Sequence, residues 1–422
     1  MDPPGMTSLH FAVVAPPLSG HFNPLMALSR DLVARGHRVT FFHMADAAEM
    51  VRGAPVGFRA VGLSSHPAGA LKAHLHKLAN PTGPLGLLAV IRDTAEITDM
   101  LCRDLPDAFR AERIDAVIAD QTEAAGALVA RHLKLPFVST ATALPLNREI
   151  GVPPPFVDWP YDPTEKGRWW NEGGWRVTDF LMKPMAKVVA RHAKAFGLDP
   201  LADQGFSPLL QAAQCVAGLD FPRSELPAAF HYCGPFRTPE AEATLDFDVH
   251  GDGRPLVFCS LGTLQGARAD LFQAVARAAQ KLNVRLVLAH GGLLSEEAAR
   301  ALPGDPVVRA FVPQRQVLAH CKAAVIHAGF NTVMDALSLG VPLVAMPIAF
   351  EQPGISARLL YSGVARIFPA KKASARRVEE ALGLVLSDPA YAIAARRIQS
   401  EITASGGVSE AAELIVSAVG RR

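Results

Sequence analysis

The block from Phe311 to Gln352 constrains the fold most, because it reads as two consecutive strand–turn–helix units. A strand-like run ends at His327, a glycine follows at position 329, and Asn331 and Thr332 open a helical pattern. Free backbone N–H groups and the positive end of the helix dipole meet at such a turn, which makes it a site for an anion. The side chains of His327 and Asn331 can add further donors there.

The second unit of this block ends in an acid–amide pair, Glu351 and Gln352. A carboxylate accepts hydrogen bonds and an amide both donates and accepts them, so the pair suits the vicinal hydroxyls of a sugar. One half of the block is therefore predicted to bind phosphate and the other half a sugar. Together they indicate a site for a nucleotide sugar.

Composition narrows the class of protein. The 422 residues suffice for two domains, and hydrophobic residues make up 50% of them. No run of about 18 uncharged apolar residues occurs, so no membrane-spanning helix is predicted. The first residues show no signal peptide, and we expect a cytoplasmic protein with an apolar partner. A net charge of +2 argues against nucleic-acid binding, and five scattered cysteines indicate reduced thiols.

Strand and helix patterns alternate in both halves of the chain, which predicts the α/β class with two parallel, doubly wound sheets. We expect a first domain over 1–222, a linker over 223–253 and a second domain over 254–422, whose last helix packs back on the first domain. The segment 145–175 is rich in Pro and Gly and is interpreted as irregular. A helix is predicted over about 176–195, interrupted or restarted at Pro184. In the first half, apolar strands are expected over 11–15, 39–42, 58–63, 114–119 and 137–140.

Two residues at predicted strand ends are candidates for acid–base chemistry. His21 follows the first strand, ahead of a helix expected from Leu25 with Asn23 as its N-cap. Ligands of open α/β sheets bind beyond the carboxyl ends of strands, so this His could take a proton from a hydroxyl; the alternative is a surface loop His. Asp120 ends a later strand. It could orient an imidazole, or it could cap the helix that starts near Glu123.

Two short motifs are weaker signals. Gly262 and Thr263 follow the strand that begins at Leu256, and a glycine turn with a hydroxyl suits a phosphate. Asp246 and Asp248 have the spacing of a metal-binding DxD motif, but they fall in the predicted linker. We interpret them as solvated charge and predict no metal site.

All four tryptophans fall in one irregular stretch. Clustered aromatic side chains suit a flat apolar ligand or a membrane interface, whereas a small core beneath a long loop is the alternative. Basic residues on the following predicted helix recur at helical spacing, which favours an ordinary solvated face; the alternative is contact with an anionic membrane surface through 159–194. The tryptophans are Trp159, Trp169, Trp170 and Trp175, and the basic residues are Arg176, Lys183, Lys187, Arg191 and Lys194.

The block 311–352 resembles the donor-binding signature of family 1 glycosyltransferases, which use UDP-sugars. The family often has Trp where Phe311 stands, and it usually has Asp where Glu351 stands, which shifts that sugar contact by one methylene. The residues that fall in its pattern are Phe311, Pro313, Gln314, His327, Gly329, Asn331, Thr332, Asp335, Pro342, Pro347, Glu351 and Gln352.

The resemblance implies the GT-B fold, two Rossmann-like domains that face each other across a cleft. It also implies an inverting transfer in which His21 acts as the base and Asp120 holds it. Gly262 and Thr263 would then face the donor diphosphate, with no metal and no cofactor beyond the donor UDP-glucose.

The segments 61–71, 141–149 and 260–266 resemble the bacterial branch of the family that glucosylates carotenoids, zeaxanthin among them. A glucosyl transfer to such an apolar hydroxylated acceptor is therefore the expected function. The acceptor-binding residues are predicted to be Leu144, Pro145, Trp159, Trp169 and Trp170. The alternatives are another apolar acceptor, such as a macrolide, polyphenol or sterol, and a non-catalytic nucleotide-sugar-binding GT-B protein, which the presence of both His21 and Asp120 disfavours.

Overall fold

The structure is a computed structural model, and it describes residues 8–79, 83–199, 205–238, 245–249, 251–265 and 268–420. Residues 239–244 and 250 of the predicted linker lie outside these ranges.

The N-terminal half is built on a seven-stranded sheet with the strand order β3-β2-β1-β4-β5-β6-β7. Every neighbouring pair is parallel. Strands β1 and β4 are buried along their whole length, which is why they read as continuous apolar runs in the sequence. The strands are β1 His10–Val14, β2 Arg38–His43, β3 Gly57–Ala60, β4 Ala116–Asp120, β5 Phe137–Ala141, β6 Gln211–Ala213 and β7 Phe230–Tyr232.

The C-terminal half repeats this design in a six-stranded parallel sheet with the order β10-β9-β8-β11-β12-β13. Alternate residues of β8 face two different cores: Phe258 packs in one and Val257 in the other. The predicted architecture of two doubly wound α/β sheets is confirmed. The strands are β8 Leu256–Ser260, β9 Arg285–Ala289, β10 Val307–Arg309, β11 Cys321–Ile326, β12 Leu343–Ala345 and β13 Ala365–Ile367.

Helices cover both sheets. In the N-terminal half they are α1 Ser19–Ala34, α2 Ala70–Ala79, α3 Gly83–Glu112, α4 Ala124–Leu133, α5 Glu165–Leu181 and α6 Lys183–Phe196. In the C-terminal half they are α7 Gly262–Gln265, α8 Ala269–Lys281, α9 Glu296–Arg300, α10 Gln314–Leu318, α11 Phe330–Ser338, α12 Gln352–Tyr361, α13 Ala375–Ser387, α14 Pro389–Ala404 and α15 Gly407–Gly420. Short 3₁₀ turns span Ala45–Val51, Ala217–Leu219 and Ala370–Lys372.

Helix α1 begins earlier than its sequence predicts. The expected start at Leu25 with an Asn23 cap is wrong: the helix begins at Ser19, so His21 lies in its first turn and Pro24 lies inside it. A proline in a helix leaves the carbonyl four residues before it without its usual donor. Here that carbonyl belongs to Gly20, and Asn331 Nδ2 donates to it over 3.1 Å. A side chain from the other half of the molecule therefore supplies the missing hydrogen bond.

The interpretation of 145–175 as irregular is wrong at its C-terminal end, because α5 begins at Glu165 with Thr164 as its N-cap. Two glycines of α5 look like loop residues in the sequence but lie against neighbouring groups. A Cβ on Gly167 would come within 2.1 Å of the Asp162 carbonyl oxygen, and one on Gly174 within 2.8 Å of the Trp159 ring. These glycines permit close packing and do not mark a loop.

A new helix, α6, begins two residues after α5 ends. It begins at Lys183 with Pro184 in its first turn, where a missing N–H costs little, so the restart predicted at Pro184 is confirmed.

A buried ion pair joins the two halves near the cleft. Arg358 on α12 donates from Nε to Asp220 Oδ1 over 2.6 Å, and its guanidinium lies 4.4 Å from the centroid of the Phe221 ring. Both charged side chains are at most 1% exposed. Removing one partner of such a pair typically costs about 3–5 kcal/mol. The start of α12 is also fixed, because Gly354 has no Cβ and lies directly against the Pro155 carbonyl.

The last two helices pack on the rest of the protein. Together, Pro389–Gly420 is long and apolar enough to cross a membrane by length and composition, because an 18-residue window within it has a mean hydropathy of 1.2. The stretch is two helices, however, with Ser405 and Gly406 between them. Helix α14 lies against α11. Helix α15 lies against α1, where Ala412 and Ile415 join the core of the N-terminal sheet.

Candidate active site

A cavity of about 1730 Å³ lies where the two halves meet. Pockets for drug-sized ligands occupy roughly 300–1,000 Å³, so this one has room for two large substrates. In each sheet the strand order reverses direction beside the cavity, between β1 and β4 and between β8 and β11. Crevices at such reversals are where open α/β sheets bind ligands.

Most of the predicted site residues line this cavity. They are His21, Trp159, Trp169, Trp170, Gly262, Thr263, Phe311, Gln314, His327, Gly329, Asn331, Thr332, Asp335, Glu351 and Gln352. Four others do not: Asp120 lies behind His21, Pro313 precedes α10, and Leu144 and Pro145 are buried.

His21 and Asp120 form a hydrogen-bonded pair at the N-terminal crevice. The imidazole Nδ1 lies 3.1 Å from Asp120 Oδ2, and the side chains are 15% and 1% exposed. A carboxylate on Nδ1 fixes the tautomer that carries its proton there, which leaves Nε2 as an unprotonated base. The same Asp120 also accepts the backbone N–H of Thr122 through its other oxygen, over 2.9 Å. Orientation of the imidazole and support of the turn before α4 are thus combined in one side chain.

The electrostatics of the pair favour a charged imidazole. Burial alone would lower the pKa of His21, but the charge and the hydrogen bond of Asp120 outweigh burial and raise the pKa above the ordinary 6.5. Burial would raise the pKa of Asp120, but His21 and neighbouring hydroxyls lower it overall. A proton taken up by His21 is therefore stabilised where it arrives, as a general base requires.

Thr142 is a third member of this group that the sequence did not reveal. Its hydroxyl donates to Asp120 Oδ2 and lies 2.7 Å from His21 Nδ1, so it bridges the two charged groups. It directly follows β5, the strand beside β4. Its position just past a strand end, like that of Asp120, is the signal that could have identified it.

The C-terminal crevice is formed by the turn after β11 and the turn after β8. The His327 ring fills the space between two glycines: a Cβ on Gly262 would come within 2.7 Å of its Nε2, and one on Gly329 within 2.4 Å. Ala328, between His327 and Gly329, has a φ of +66°, which is uncommon for a residue other than glycine. Any larger side chain at 262 or 329 would displace the imidazole.

His327 differs from His21 in its charge. Burial lowers its pKa to about 4, so the ring is neutral at physiological pH. Beside it, α11 begins at Phe330 with Gly329 in the N-cap position. The first backbone N–H groups of this helix lack intrahelical acceptors and carry the positive end of the helix dipole. A neutral donor and a helix N-terminus together suit a diphosphate.

A polar network holds this helix against the N-terminal half. Gln214, at the end of β6, donates to Asn331 Oδ1 over 2.9 Å, while Asn331 itself donates to Gly20. Arg237 donates from Nε to Asp335 over 2.6 Å and from Nη2 to the Asn331 backbone over 3.1 Å.

Two predicted donor-binding residues, Gln314 and Asp335, contact each other in this network. Asp335 accepts from Arg237 and, over 2.8 Å, from Gln314 Nε2, so its carboxylate is occupied by protein donors. Arg237 lies in the predicted linker and was not identified from the sequence. A single arginine between glycines and prolines there carries no pattern that distinguishes it.

Glu351 and Gln352 lie at the start of α12, on the opposite wall from the dyad. The Gln352 side-chain oxygen accepts the backbone N–H groups of Ile348 and Ala349, over 2.7 and 3.0 Å, so its amide nitrogen is the group left to meet a ligand. Burial raises the pKa of Glu351, and the nearby His21 offsets part of that rise. Glu351, the predicted sugar contact, and His21, the predicted base, therefore each shift the pKa of the other.

Phe311 and Gln314 lie on the rim of the donor side. The Phe311 side chain is 69% exposed and rests about 3.8 Å from the position of a Cβ on Gly292, so one flat face is open. Open aromatic faces stack well on planar bases. Thr332, 9% exposed, lines the cavity from the first turn of α11.

The acceptor side differs from the prediction at two positions. Leu144 is 3% exposed and packs in a core cluster, and Pro145 is buried as well. Their neighbours Ala143 and Leu146 line the cavity instead. The chain bends at residues 142–144, directly after β5. Which side chains of this irregular segment face the cavity follows from no periodic pattern in the sequence. Trp159, Trp169 and Trp170 do line the cavity.

Asp246 and Asp248 lie outside the cavity wall. Asp246 pairs with Arg309 over 2.8 Å, and Asp248 accepts the backbone N–H of Gly251 over 2.9 Å. Within the described ranges, no cluster of three or more His, Cys, Asp or Glu side chains could hold a metal ion.

Comparison with known proteins agrees with this geometry. The pattern of the family described as "UDP-glucoronosyl and UDP-glucosyl transferase" matches residues 210–402. Zeaxanthin glucosyltransferase of Pantoea ananas is 41% identical over 96% of this chain and 95% of its own length. The zeaxanthin glucosyltransferase of Pseudescherichia vulneris is 36% identical over 97% and 98%.

Solved structures support the fold. The kitacinnamycin glycosyltransferase superposes with a TM-score of 0.78 at 22% identity, covering 98% of this chain and 100% of that one. The calicheamicin glycosyltransferase gives 0.72 at 22%, covering 99% of both. The family match, the identity to relatives over nearly their full length and the shared fold agree. The chain belongs to the UDP-glucosyl and UDP-glucuronosyl transferase family, the family 1 glycosyltransferases of GT-B fold.

Proposed function

We propose that the protein transfers glucose from UDP-glucose to the hydroxyl groups of a carotenoid, zeaxanthin, to give the β-glucoside and the diglucoside. The observation that carries the proposal is the imidazole–carboxylate pair of His21 and Asp120 at one wall of a cavity that is otherwise mostly apolar on that side. Whole-length identity of 41% and 36% to two zeaxanthin glucosyltransferases supports this acceptor.

The reaction is a single displacement. The acceptor O–H gives its proton to His21 Nε2 while its oxygen forms a bond to the anomeric carbon. The bond from that carbon to the β-phosphate oxygen breaks, and UDP leaves with both electrons of the bond. Attack opposite the leaving group inverts the anomeric centre. Asp120 stabilises the imidazolium that forms, because its carboxylate lies 3.1 Å from Nδ1.

Charge on the leaving diphosphate is proposed to be met by fixed dipoles. The α11 N-terminus, the neutral His327 and the Thr263 hydroxyl all face the cavity. Donors placed before the reaction lower the barrier without reorganising during it. Gln352, through its amide nitrogen, and Glu351 are proposed to hold the glucose hydroxyls.

An acceptor panel tests this function. Purified protein would be given UDP-glucose with zeaxanthin, with a carotenoid that has a single hydroxyl, with one that has none, and with a macrolide, a polyphenol and a sterol. Mass spectrometry should find two added hexosyl units on zeaxanthin, one on the mono-hydroxylated carotenoid and none on the hydrocarbon. Transfer to the macrolide, polyphenol or sterol without transfer to zeaxanthin would overturn the proposed acceptor. Binding of UDP-glucose without transfer of glucose to any acceptor would overturn the proposed activity.

A further inference from the structure

Helix α5 leaves an apolar face uncovered. Trp169, Val177 and Phe180 are 67%, 60% and 65% exposed, and their spacing returns them to the same side of the helix. Trp170 beside them is 51% exposed. We call these four residues the α5 face. Large apolar side chains clustered on a surface commonly mark a contact with a partner or a membrane.

The α5 face is continuous with the acceptor side of the cavity. Trp169, Trp170 and Val177 also line the cavity, so the inner wall and the outer surface share these side chains. Leu87 of α3 is 40% exposed and lines the same cavity from the neighbouring helix. An apolar molecule could therefore move from the α5 face into the cavity without crossing a polar barrier at these residues.

Two lysines accompany the face. Lys183 Nζ lies 4.5 Å from the centroid of the Phe180 ring, and Lys187, one turn further along α6, is exposed. The arginines of the predicted basic surface are different, because Arg176 and Arg191 pair with acidic side chains of α5 and α3. The basic character that remains next to the apolar face thus comes from the lysines.

We propose that the α5 face docks the protein on an anionic lipid bilayer, on the inner surface of the cell membrane, so that the acceptor enters the cavity directly from the lipid. Tryptophan favours the interface of a bilayer, and lysine stems can lie along apolar surface while their ammonium groups reach the headgroups. A second copy of the chain is the competing occupant, but lysine is depleted from protein–protein interfaces. Delivery of a carotenoid rests on the proposed function, whereas lipid binding does not.

The test uses the full-length protein and vesicles of phosphatidylcholine with or without phosphatidylglycerol. The variant Phe180→Gln/Lys183→Gln/Lys187→Gln changes one exposed apolar residue and two lysines, none of which lines the cavity. The matched control is Ile393→Gln/Lys371→Gln/Lys372→Gln, where Ile393 is 58% exposed and both lysines are exposed on the C-terminal half. Circular dichroism melting verifies that both variants fold.

Wild-type protein and control should float with vesicles that contain phosphatidylglycerol, and added salt should release them. The α5 variant should partition at least ~30-fold less, which corresponds to about 2 kcal/mol for two lysines near an anionic surface. Equal flotation of variant and control would overturn the proposal. So would wild-type dimers in lipid-free solution that the α5 variant converts to monomers, because the face would then be a self-association surface.

Turnover separates this proposal from the proposed function. The α5 variant should glucosylate a carotenoid dissolved in vesicles several-fold more slowly than the control does, and a detergent-dissolved carotenoid at the same rate. Flotation without any carotenoid glucosylation would overturn the proposed acceptor and leave the lipid contact standing. An equal loss of rate in detergent and in vesicles would assign the α5 face to the acceptor cavity itself and overturn its role in docking.

Discussion

The two crevices of the molecule share a topology but use histidine in opposite ways. Each lies where the strand order of a parallel sheet reverses, and each places a histidine beyond a strand end. His21 in the N-terminal crevice has a raised pKa, because Asp120 outweighs the effect of burial. His327 in the C-terminal crevice is buried without such a carboxylate, and its pKa falls to about 4.

The comparison shows that the strand-end position does not decide the chemistry of a histidine. A carboxylate on the next strand makes an imidazole that can take and hold a proton. Two flanking glycines and a helix N-terminus make a neutral donor that can face an anion without taking its proton. The first arrangement suits an acceptor hydroxyl and the second a diphosphate, so the neighbours of each histidine assign its half of the reaction.

The largest expected effect separates the two histidines. His21→Ala should lower turnover on the order of 10²–10⁴-fold, because it removes the proposed base, and should leave the inhibition constant of UDP unchanged. His327→Ala should instead raise that constant and the donor KM. Initial rates and UDP inhibition, measured on both variants, check this. A comparison in which both variants lose UDP binding equally would contradict the division of roles.

Asp120→Asn should be next in size, at roughly 10²-fold. Without the carboxylate, burial is the main influence left on His21, so its pKa should fall from above 6.5 to below it. The acid limb of kcat/KM reports the base of the free enzyme, and activity rises as that base loses its proton. The limb should therefore move to lower pH in Asp120→Asn. An unmoved limb with normal turnover would reduce Asp120 to the support of its turn.

Gln352→Ala sharpens the comparison within the donor crevice. It removes the amide nitrogen that is proposed to bind the sugar and leaves the N–H groups of Ile348 and Ala349 without their acceptor. A lost hydrogen bond to the sugar costs about 1 kcal/mol, so glucose transfer should fall roughly fivefold to tenfold. UDP should still inhibit with its original constant. A parallel loss of UDP affinity would move Gln352 from the sugar to the nucleotide.

Asn331→Ala tests the link between the two crevices. The change removes the hydrogen bond to the Gly20 carbonyl in the helix turn that carries His21. A hydrogen bond of this kind contributes about 1 kcal/mol, so kcat at saturating substrates should fall about fivefold. Ser19→Ala, which removes a different hydrogen bond across the cleft, to Thr263, is the companion variant and should have less effect because that contact is exposed. An unchanged kcat in Asn331→Ala would mean that Asn331 does not help to position His21, and would leave it only the predicted role of binding the UDP-sugar.

The smallest expected effect is that of a chelator. The C-terminal crevice offers the α11 N-terminus, a neutral His327 and the Thr263 hydroxyl to a diphosphate, so fixed donors can balance its charge. Rates measured before and after EDTA treatment should be equal. Loss of activity that Mg²⁺ or Mn²⁺ restores would show that the fixed donors do not suffice.

The sequence sets limits to what could be predicted about the site. Residues joined by a local pattern, such as His327, Gly329 and Asn331, could be placed at one turn because strand, glycine and helix follow one another directly. Arg237 could not be placed, since no pattern marks it and the Asp335 carboxylate that it contacts is 98 residues away along the chain. Trp159 lies in an irregular segment, as the sequence predicts, but Trp169, Trp170 and Trp175 lie on α5. The sequence pattern is wrong there because glycines that serve close packing look the same in sequence as glycines that serve turns.

By itself, the sequence determined the two-sheet α/β class and the strand–turn–helix order around His327 in the C-terminal half, because strand periodicity and turn chemistry are local properties. Tertiary structure alone decided where α1 begins, since the carbonyl that Pro24 leaves free is satisfied by Asn331 from the other half. It also decided that Leu144 is buried while Ala143 faces the cavity, and that Asp335 meets Arg237. Those outcomes depend on hydrogen bonds and packing between distant segments, whose free energy exists only once both halves have come together.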